Sequence, residues 1–509
     1  MTVYSDYFPN ESAFDYHDRA YQKLVVPDIP EQKLKVPPLL KPDKETATDT
    51  WYTVTAQTGS VQLLPGEKTK TWGYNGPLLG GNVPVFEDGK TIHVHLVNHL
   101  PEFTTFHWHG MEIPGPIADG GCHAPVYPGE EKDIQFKVQQ PAAMVWLHAH
   151  PCPETAAQVY HGLAGLALVK DAHESSLPLP HQWGVDDIPI ILQDRHFQAD
   201  NQWDYRKDYD PDGVTGPTPM INGTINPYFD VTTQKLRLRF LNGANRREWR
   251  LHFSDDLPFT QIAGDLSLLP HPIQMTRLMS TCAERHEIIV DFKNYQPGDV
   301  VTLYSDDTPL VHFRIHEFKP NNQIIPETLF QTPDPPLSPD LPKRVVTMDG
   351  MDEGVAMDGK KFQMGRIDYR VNVGKCQLWE IVNTNTKPGM LHPYHMHGVA
   401  FTVVSRDGKK PYPNEYGLKD TVVVNPGEHV IIKIPFNVVG LFMDHCHILE
   451  HEDGGMMQQF EVDDPNHPRH YKLMTHQKLM ESFAKERGVS VNDLWLGGMQ
   501  SYQKMGMSM

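Results

Sequence analysis

From Trp51 onward the chain is built of short runs in which apolar and polar residues alternate, each closed by Pro, Gly or Asn; residues 92–97 and 134–138 are examples. Period-two alternation over so few residues predicts half-buried β-strands rather than helices. Many such strands at short spacing predict β-sandwiches. The pattern divides into blocks. Residues 1–48 hold scattered prolines with little periodicity and are expected to form an extended N-terminal arm on the surface of a larger body. A first strand-rich block covers 49–172, and ESSLPLPHQWGVDD falls in a linker at 173–187. A second block, 188–320, contains LRLRFLNGANRREWRLHF, an EIIVDF strand and VHFRIHEF. A proline-rich connector at 321–343 leads to a third block at 344–465.

The last segment, 466–509, has a different texture. In HYKLMTHQKLMESFAKERG the apolar residues fall at helical spacing and Gly488 supplies a stop, so a short helical tail packed on the body is expected. The final MGMSM is expected to be a frayed end, although Met505, Met507 and Met509 are soft thioether ligands.

Composition narrows the classes. At 509 residues the chain exceeds one ordinary domain, and 44 Pro with 38 Gly favours turns over long helices. The formal charge of -19 is spread without a basic stripe, which argues against nucleic acid or an anionic membrane as partner. The apolar run at 163–169 is far shorter than the roughly 20 residues a bilayer requires. The amino-terminal residues have neither the basic start nor the apolar core of a secretory signal, so a cytoplasmic protein is expected, and a monomer. Five cysteines at irregular spacing are no disulfide framework; Cys122 and Cys152 are expected to be reduced thiols.

Four stretches carry the chemistry. DHCHILEHEDGGMM, at 444–457, packs three histidines, a cysteine and two methionines into one peptide. If 444–448 is a strand, alternation sends His445 and His447 to one face and Cys446 to the other, so one peptide touches two metal sites. A thiolate, imidazoles and a weak thioether form the donor set of a blue copper centre, and Cys446, His451 and Met456 are three of those groups. His107-Trp108-His109 and His148-Ala149-His150 each place two imidazoles on one strand face roughly 7 Å apart. His392-Pro393-Tyr394-His395-Met396-His397 adds three more. Together these are ten histidines, one cysteine and one methionine, far more than the four ligands of a structural zinc site. His93-Val94-His95 and the isolated histidines of the second block, His252, His271, His286 and His312, are expected to be ordinary strand and loop residues.

These four clusters resemble the copper-binding motifs of the multicopper oxidases. The likeness extends to DGKKFQMGRIDYRVNVGKCQLWEIVN and DTVVVNPGEHVIIKIPF, and the layout looks most like three-domain bacterial laccases of the spore-coat laccase and bilirubin oxidase branch. The resemblance implies an all-β fold of three cupredoxin-like Greek-key β-barrels, with a trinuclear copper cluster between the first and third and a middle domain without copper. It implies four coppers. Type 1 would be held by His392, Cys446 and His451 with Met456 axial, the family spacing selecting Met456 over Met457. Type 2 would be held by His107 and His395. The type 3 pair would be held by His109, His148, His150, His397, His445 and His447.

The same resemblance implies a small aromatic reductant, a phenol, aminophenol or aromatic amine, losing single electrons to the type 1 centre through an exposed edge of His392. Dioxygen would be the oxidant, reduced to water at the cluster, with His445-Cys446-His447 as the electron path. Protons would come through buried carboxylates. Glu452, beside His451, and Asp119, ten residues after His109, resemble the family's acidic residues there. Cuprous-ion oxidation, bilirubin oxidation and a non-catalytic cupredoxin scaffold are the competing readings. Met348, Met351, Met357 and Met364 precede the third cluster without forming a dense methionine-rich helix, and the donor set is complete.

Overall fold

The computed structural model describes residues 22–79, 81–321, 323–332, 340–386 and 390–498. Among the described residues the strands assemble into six sheets, stacked as three sandwiches in chain order. Asp49–Val61 shows why the alternating runs fold this way: its even-numbered positions from Thr50 to Ala56 are buried and the intervening ones half-exposed. In the first sandwich this strand and Thr91–His99 face a sheet ordered Val85–Glu87, Ala164–Lys170, Ala143–His148, His107–His109. Phe86, Trp108 and Phe136 fill the space between the two sheets.

The third sandwich repeats the plan. Its inner sheet runs Tyr369–Asn372, Met457–Asp463, Gly440–Cys446, His392–Met396, Thr421–Val424. The middle sandwich has two six-stranded sheets over a core that includes Trp249, Phe253 and Phe313. Its charged strand positions are not solvated: Arg237 and Arg239 form a buried network with Glu287, Glu174 and Asp187.

Three expectations need adjustment. The N-terminal arm does not simply lie on the surface. Gln32–Lys33 pairs in parallel with Pro227–Val231, and Leu24 and Leu34 enter the core of the middle sandwich, because this edge strand leaves its backbone donors and an apolar margin to be covered. The connector at 321–343 likewise buries Leu329 against Ile262 and Leu179. The strand expected at 444–448 ends at Cys446, and the chain turns into the helix Leu449–Asp453.

The helical tail is present as His476–Arg487, capped by Thr475, whose side chain accepts from the amide of Lys478. It stops at Gly488, which adopts the left-handed conformation (φ 66°) that favours glycine. Leu479 and Phe483 bury against Phe103 and Met457, pinning the tail between the first and third sandwiches. No helix among the described residues is long and apolar enough to cross a membrane. Met505, Met507 and Met509 lie outside the described residues.

Candidate metal centres

Strand register brings the histidine motifs together. His107 is the direct cross-strand partner of His148, and His395 of His445. These two strand pairs belong to the first and third sandwiches, and their imidazoles meet across the junction: His109 stacks on His395 at 3.6 Å between ring centroids and His107 on His397 at 3.9 Å. His150, after the end of its strand, turns in, so that His150 Nε2 and His397 Nε2 lie 3.3 and 3.1 Å from His445 Nε2. His447 sits 5.0 Å from the His109 ring and 5.4 Å from the His148 ring by centroids. Eight imidazoles thus line one buried chamber.

The other face of the same peptide builds a second centre. Cys446 Sγ lies 3.5 Å from His392 Nδ1 and 3.7 Å from His451 Nδ1. Met456 is buried in the same core, and its carbonyl accepts a hydrogen bond from the amide of Cys446. Three of the expected donors, His392, Cys446 and His451, are therefore gathered with Met456 in the adjoining core, and Cys446 joins the centre to the chamber through its bonded neighbours.

Both places fit metal ions. In the chamber the Nε2 atoms of His107, His148 and His395, both ring nitrogens of His447 and Nδ1 of His109 are buried without a hydrogen-bond partner. Orphaned acceptors crowded at such distances are costly unless a cation fills the space between them. Burial, reinforced by neighbouring imidazoles, holds the ring pKa values low: well below the ordinary value for His109, His148, His150, His395 and His445, at about 4 for His397 and about 3 for His447. Neutral rings keep the lone pairs a metal requires. Burial also pushes the Cys446 thiol up, so its thiolate form calls for a compensating cation.

Outer contacts fix each ring. The carbonyls of Asp119, Ala149, Asp420 and Cys446 accept from Nδ1 of His107, His148, His395 and His445, at 2.9, 2.9, 2.9 and 3.0 Å, which turns each Nε2 inward. His109 is reversed: Asp420 Oδ1 lies 3.2 Å from its Nε2, leaving Nδ1 to face the chamber.

A solved multicopper oxidase from Pediococcus acidilactici is 52% identical, covers 91% of this chain and 98% of its own, and superposes with a TM-score of 0.89. A curated multicopper oxidase, mco of Staphylococcus aureus, is 38% identical across 84% of this chain and 92% of its own length. Models of the multicopper oxidase family match residues 55–174 and 334–466. The chain belongs to the multicopper oxidase family.

As a multicopper oxidase it has three cupredoxin-like domains and takes four coppers, one type 1, one type 2 and two type 3, which reduce dioxygen with electrons from an organic or metal donor. Within the family, a laccase from Pediococcus acidilactici is also 52% identical (89% of this chain, 98% of its own, TM-score 0.88). The cell division protein FtsP of Escherichia coli is 32% identical over 78% of this chain and 84% of its own.

The carboxylates expected near the cluster are there. Asp119 Oδ2 lies 3.0 Å from His397 Nδ1 and 3.5 Å from His107 Nδ1; burial would raise its carboxyl, but those two imidazoles hold it well below the usual range. Glu452 is fully buried in the helix Leu449–Asp453, with its oxygens 3.4 Å from His150 Nε2 and 3.2 Å from His445 Nδ1.

One expectation is corrected. His392 has no exposed edge: it and His451 are 0% exposed. The backbone at Gly350 bears on the His392 ring, and Asp212 accepts from the amide of Asp352 at 2.6 Å, holding the turn Asp352–Gly354 in place. The sequence reading also missed two neighbours of the chamber, and a third, Cys122, was expected only as a reduced thiol near a histidine motif. Asp420 opens the run DTVVV, where a lone acid before a threonine and three valines was the available signal. Arg285, from the copper-free middle domain, grips Asp420. Cys122 Sγ lies 3.4 Å from His150 Nδ1 and hydrogen-bonds to the Cys152 thiol; both cysteines are free. His93 and His95, left unassigned, pair with Asp49 and Asp133 outside the chamber.

Proposed function

We propose that this multicopper oxidase is of laccase type, oxidising phenols, aminophenols or aromatic amines by single electrons and reducing dioxygen to water. The observation that carries the reading is the pairing of a buried Cys446, His392, His451 and Met456 centre with an eight-histidine chamber through one peptide. The 52% identical laccase supports the substrate class. In this reading the type 1 copper takes His392, Cys446, His451 and Met456, and type 2 takes His107 and His395. The type 3 pair takes His109, His148, His150, His397, His445 and His447.

When bound, the coppers supply one-electron acceptance at Cys446 and multielectron reduction of dioxygen at the chamber. The protein does the rest. Asp119 and Asp420 orient the rings that hold the cluster, and Glu452 stands beside His150 and His445, where a carboxyl can hand protons inward. The complete donor set weighs against a non-catalytic scaffold, which has no use for twelve ligands.

Oxidation of cuprous ion is a second reading, favoured by the burial of His392 beneath the Gly350 segment, which admits a small ion more readily than a ring. The test is the visible spectrum of the copper-loaded protein followed by oxygen uptake with 2,6-dimethoxyphenol and with cuprous ion. Blue absorption and phenol-driven uptake are expected. Uptake with cuprous ion alone would overturn the laccase reading, and a colourless, fully loaded protein would overturn the Cys446 assignment.

A further inference from the structure

Six chamber rings are fixed from outside by an oxygen: His107, His109, His148, His395, His397 and His445. His150 is fixed by sulfur. Its Nδ1 meets Cys122 Sγ at 3.4 Å, and the Cys122 and Cys152 side chains hydrogen-bond with each other. Cys122 is 1% exposed and Cys152 0%, and both are free thiols. On the opposite edge of the same ring, His150 Nε2 faces the chamber, 3.3 Å from His445 Nε2. Two thiols in contact therefore stand one imidazole away from the metal that ring would hold.

Both sulfurs sit on segments already tied to the chamber. Cys122 closes the turn that begins at Asp119, and Gly120 in that turn has φ 82°; a Cβ there would overlap the Phe106 carbonyl, so the turn sits directly against the residue before His107. Its first residue, Asp119, bears on His107 and His397. Cys152 follows His150 by two positions, and just beyond it Asp453 accepts from the amides of Thr155 and Ala156 at 3.1 and 2.8 Å. Phe103, Met443 and Met457 belong to the same apolar cluster as the pair. A dissolved reductant has no access to thiols so enclosed, but an electron leaving them needs only the His150 ring. Oxidation of two adjoining thiols ends in a disulfide and yields two electrons.

We propose that Cys122 and Cys152 form a built-in two-electron donor to the chamber, oxidised once to a disulfide when the external donor runs short. The proposal needs the four coppers of the family and is independent of the aromatic-donor reading. Two S–H bonds break and one S–S bond forms. The two electrons pass through His150 to two cupric ions of the chamber, which become cuprous and hand them to dioxygen, and the two protons enter the water that forms. Glu452, 3.4 Å from His150 Nε2, stands beside that path for the protons. In sum, two thiols and half a dioxygen molecule give one disulfide and one water. A dioxygen molecule left two electrons short by the external donor is thereby carried to water.

The test is a count of oxygen and of thiols. Protein loaded with four cuprous ions in the absence of oxygen is given oxygen, uptake is recorded, and the sample is acid-quenched, alkylated in denaturant and mapped by peptide mass spectrometry. The expected uptake is about one and a half dioxygen per protein, one for the four cuprous ions and half for the dithiol, with the Cys122–Cys152 disulfide recovered. Cys152→Ala, which leaves Cys122 on His150, is expected to stop at about one dioxygen because a single thiol cannot close the bond. Copper-free wild type held in air for the same time is expected to keep both thiols. Wild-type uptake equal to that of Cys152→Ala, with both cysteines alkylated, overturns the proposal. So does a disulfide that forms as fast without copper, since the chamber is then not the oxidant, and so does extra uptake accompanied by a different sulfur product. Should Cys152→Ala fold poorly, the wild-type uptake and the copper-free comparison decide by themselves.

Discussion

Asp420 Oδ1 stands 3.2 Å from Nε2 of His109, and Arg285 Nη1 donates to the same carboxylate oxygen at 2.8 Å. Three domains meet in this contact. His109 belongs to the first, Arg285 to the middle and Asp420 to the third, and the Arg285 Nε also donates to the Met144 carbonyl at 3.1 Å. Gly110, at φ 96°, makes the contact possible: a Cβ there would stand 2.9 Å from both Arg285 Nη2 and Asp420 Oδ2. The middle domain thus contributes no ligand and still decides which nitrogen of His109 faces the chamber.

Arg285→Lys is the sharp test of that coupling, because a lysine cannot reproduce the planar fork on Asp420. The expected result is at least tenfold easier removal of chamber copper by a chelator, the usual scale for an outer-sphere partner, with the blue absorption retained. Metal analysis beside the visible spectrum reads both. Equal retention of all four coppers would show that His109 needs no such support.

Glu452→Gln separates proton supply from electron entry. Its carboxyl is raised by burial and neighbouring acids and lies against His150 and His445. Dioxygen turnover is expected to fall about 100-fold, a typical contribution of one positioned proton donor, while anaerobic bleaching of the blue band by substrate stays near the wild-type rate. Unchanged steady-state turnover would remove Glu452 from the relay.

Much of this site was legible in the sequence because metal ligands on strands are written in period two: His107 and His109, or His445 and His447, face together whatever surrounds them. The sandwich architecture followed from the same alternation, and Gly488 marked the end of the tail helix. What stayed hidden depends on contacts between distant segments. Nothing near Arg285 in the sequence points to Asp420, since the two are joined only by domain packing. The burial of His392 was equally invisible, because it depends on where the turn Asp352–Gly354 settles and on its tether to Asp212, 140 residues earlier in the chain.

Removing copper would make the protein acid-sensitive in a calculable direction. His397 and His447 titrate at about 4 and about 3 when folded, against 6.5 for an unperturbed histidine. Between those limits the unfolded chain binds more protons than the native one, so stability is full above about pH 6.5 and falls as pH drops toward 4. Urea midpoints of copper-free protein should decline through that window, and Asn substitution at His447 should flatten the decline. Copper binds only the native arrangement and should raise the midpoint at every pH where it stays bound. Midpoints independent of pH from 7 to 4 would contradict the burial of neutral rings.

The tail helix tests whether support for the chamber extends to the far end of the chain. Phe483 packs on Phe103 at 4.2 Å between centroids, and Glu486 accepts from the Phe103 amide at 2.9 Å. Two residues further, Thr105 Oγ1 accepts from the amide of His150 at 2.6 Å, so the segment that the tail clamps also seats a chamber histidine. Phe483→Ala should cost about 3–5 kcal/mol by removing a fully buried ring. If the clamp is transmitted along residues 103–105, the same variant should release chamber copper faster while the blue centre, held by the third domain alone, keeps its absorption. Calorimetry gives the first quantity and chelator kinetics the second. A destabilised variant with wild-type copper release would confine the tail to a packing role.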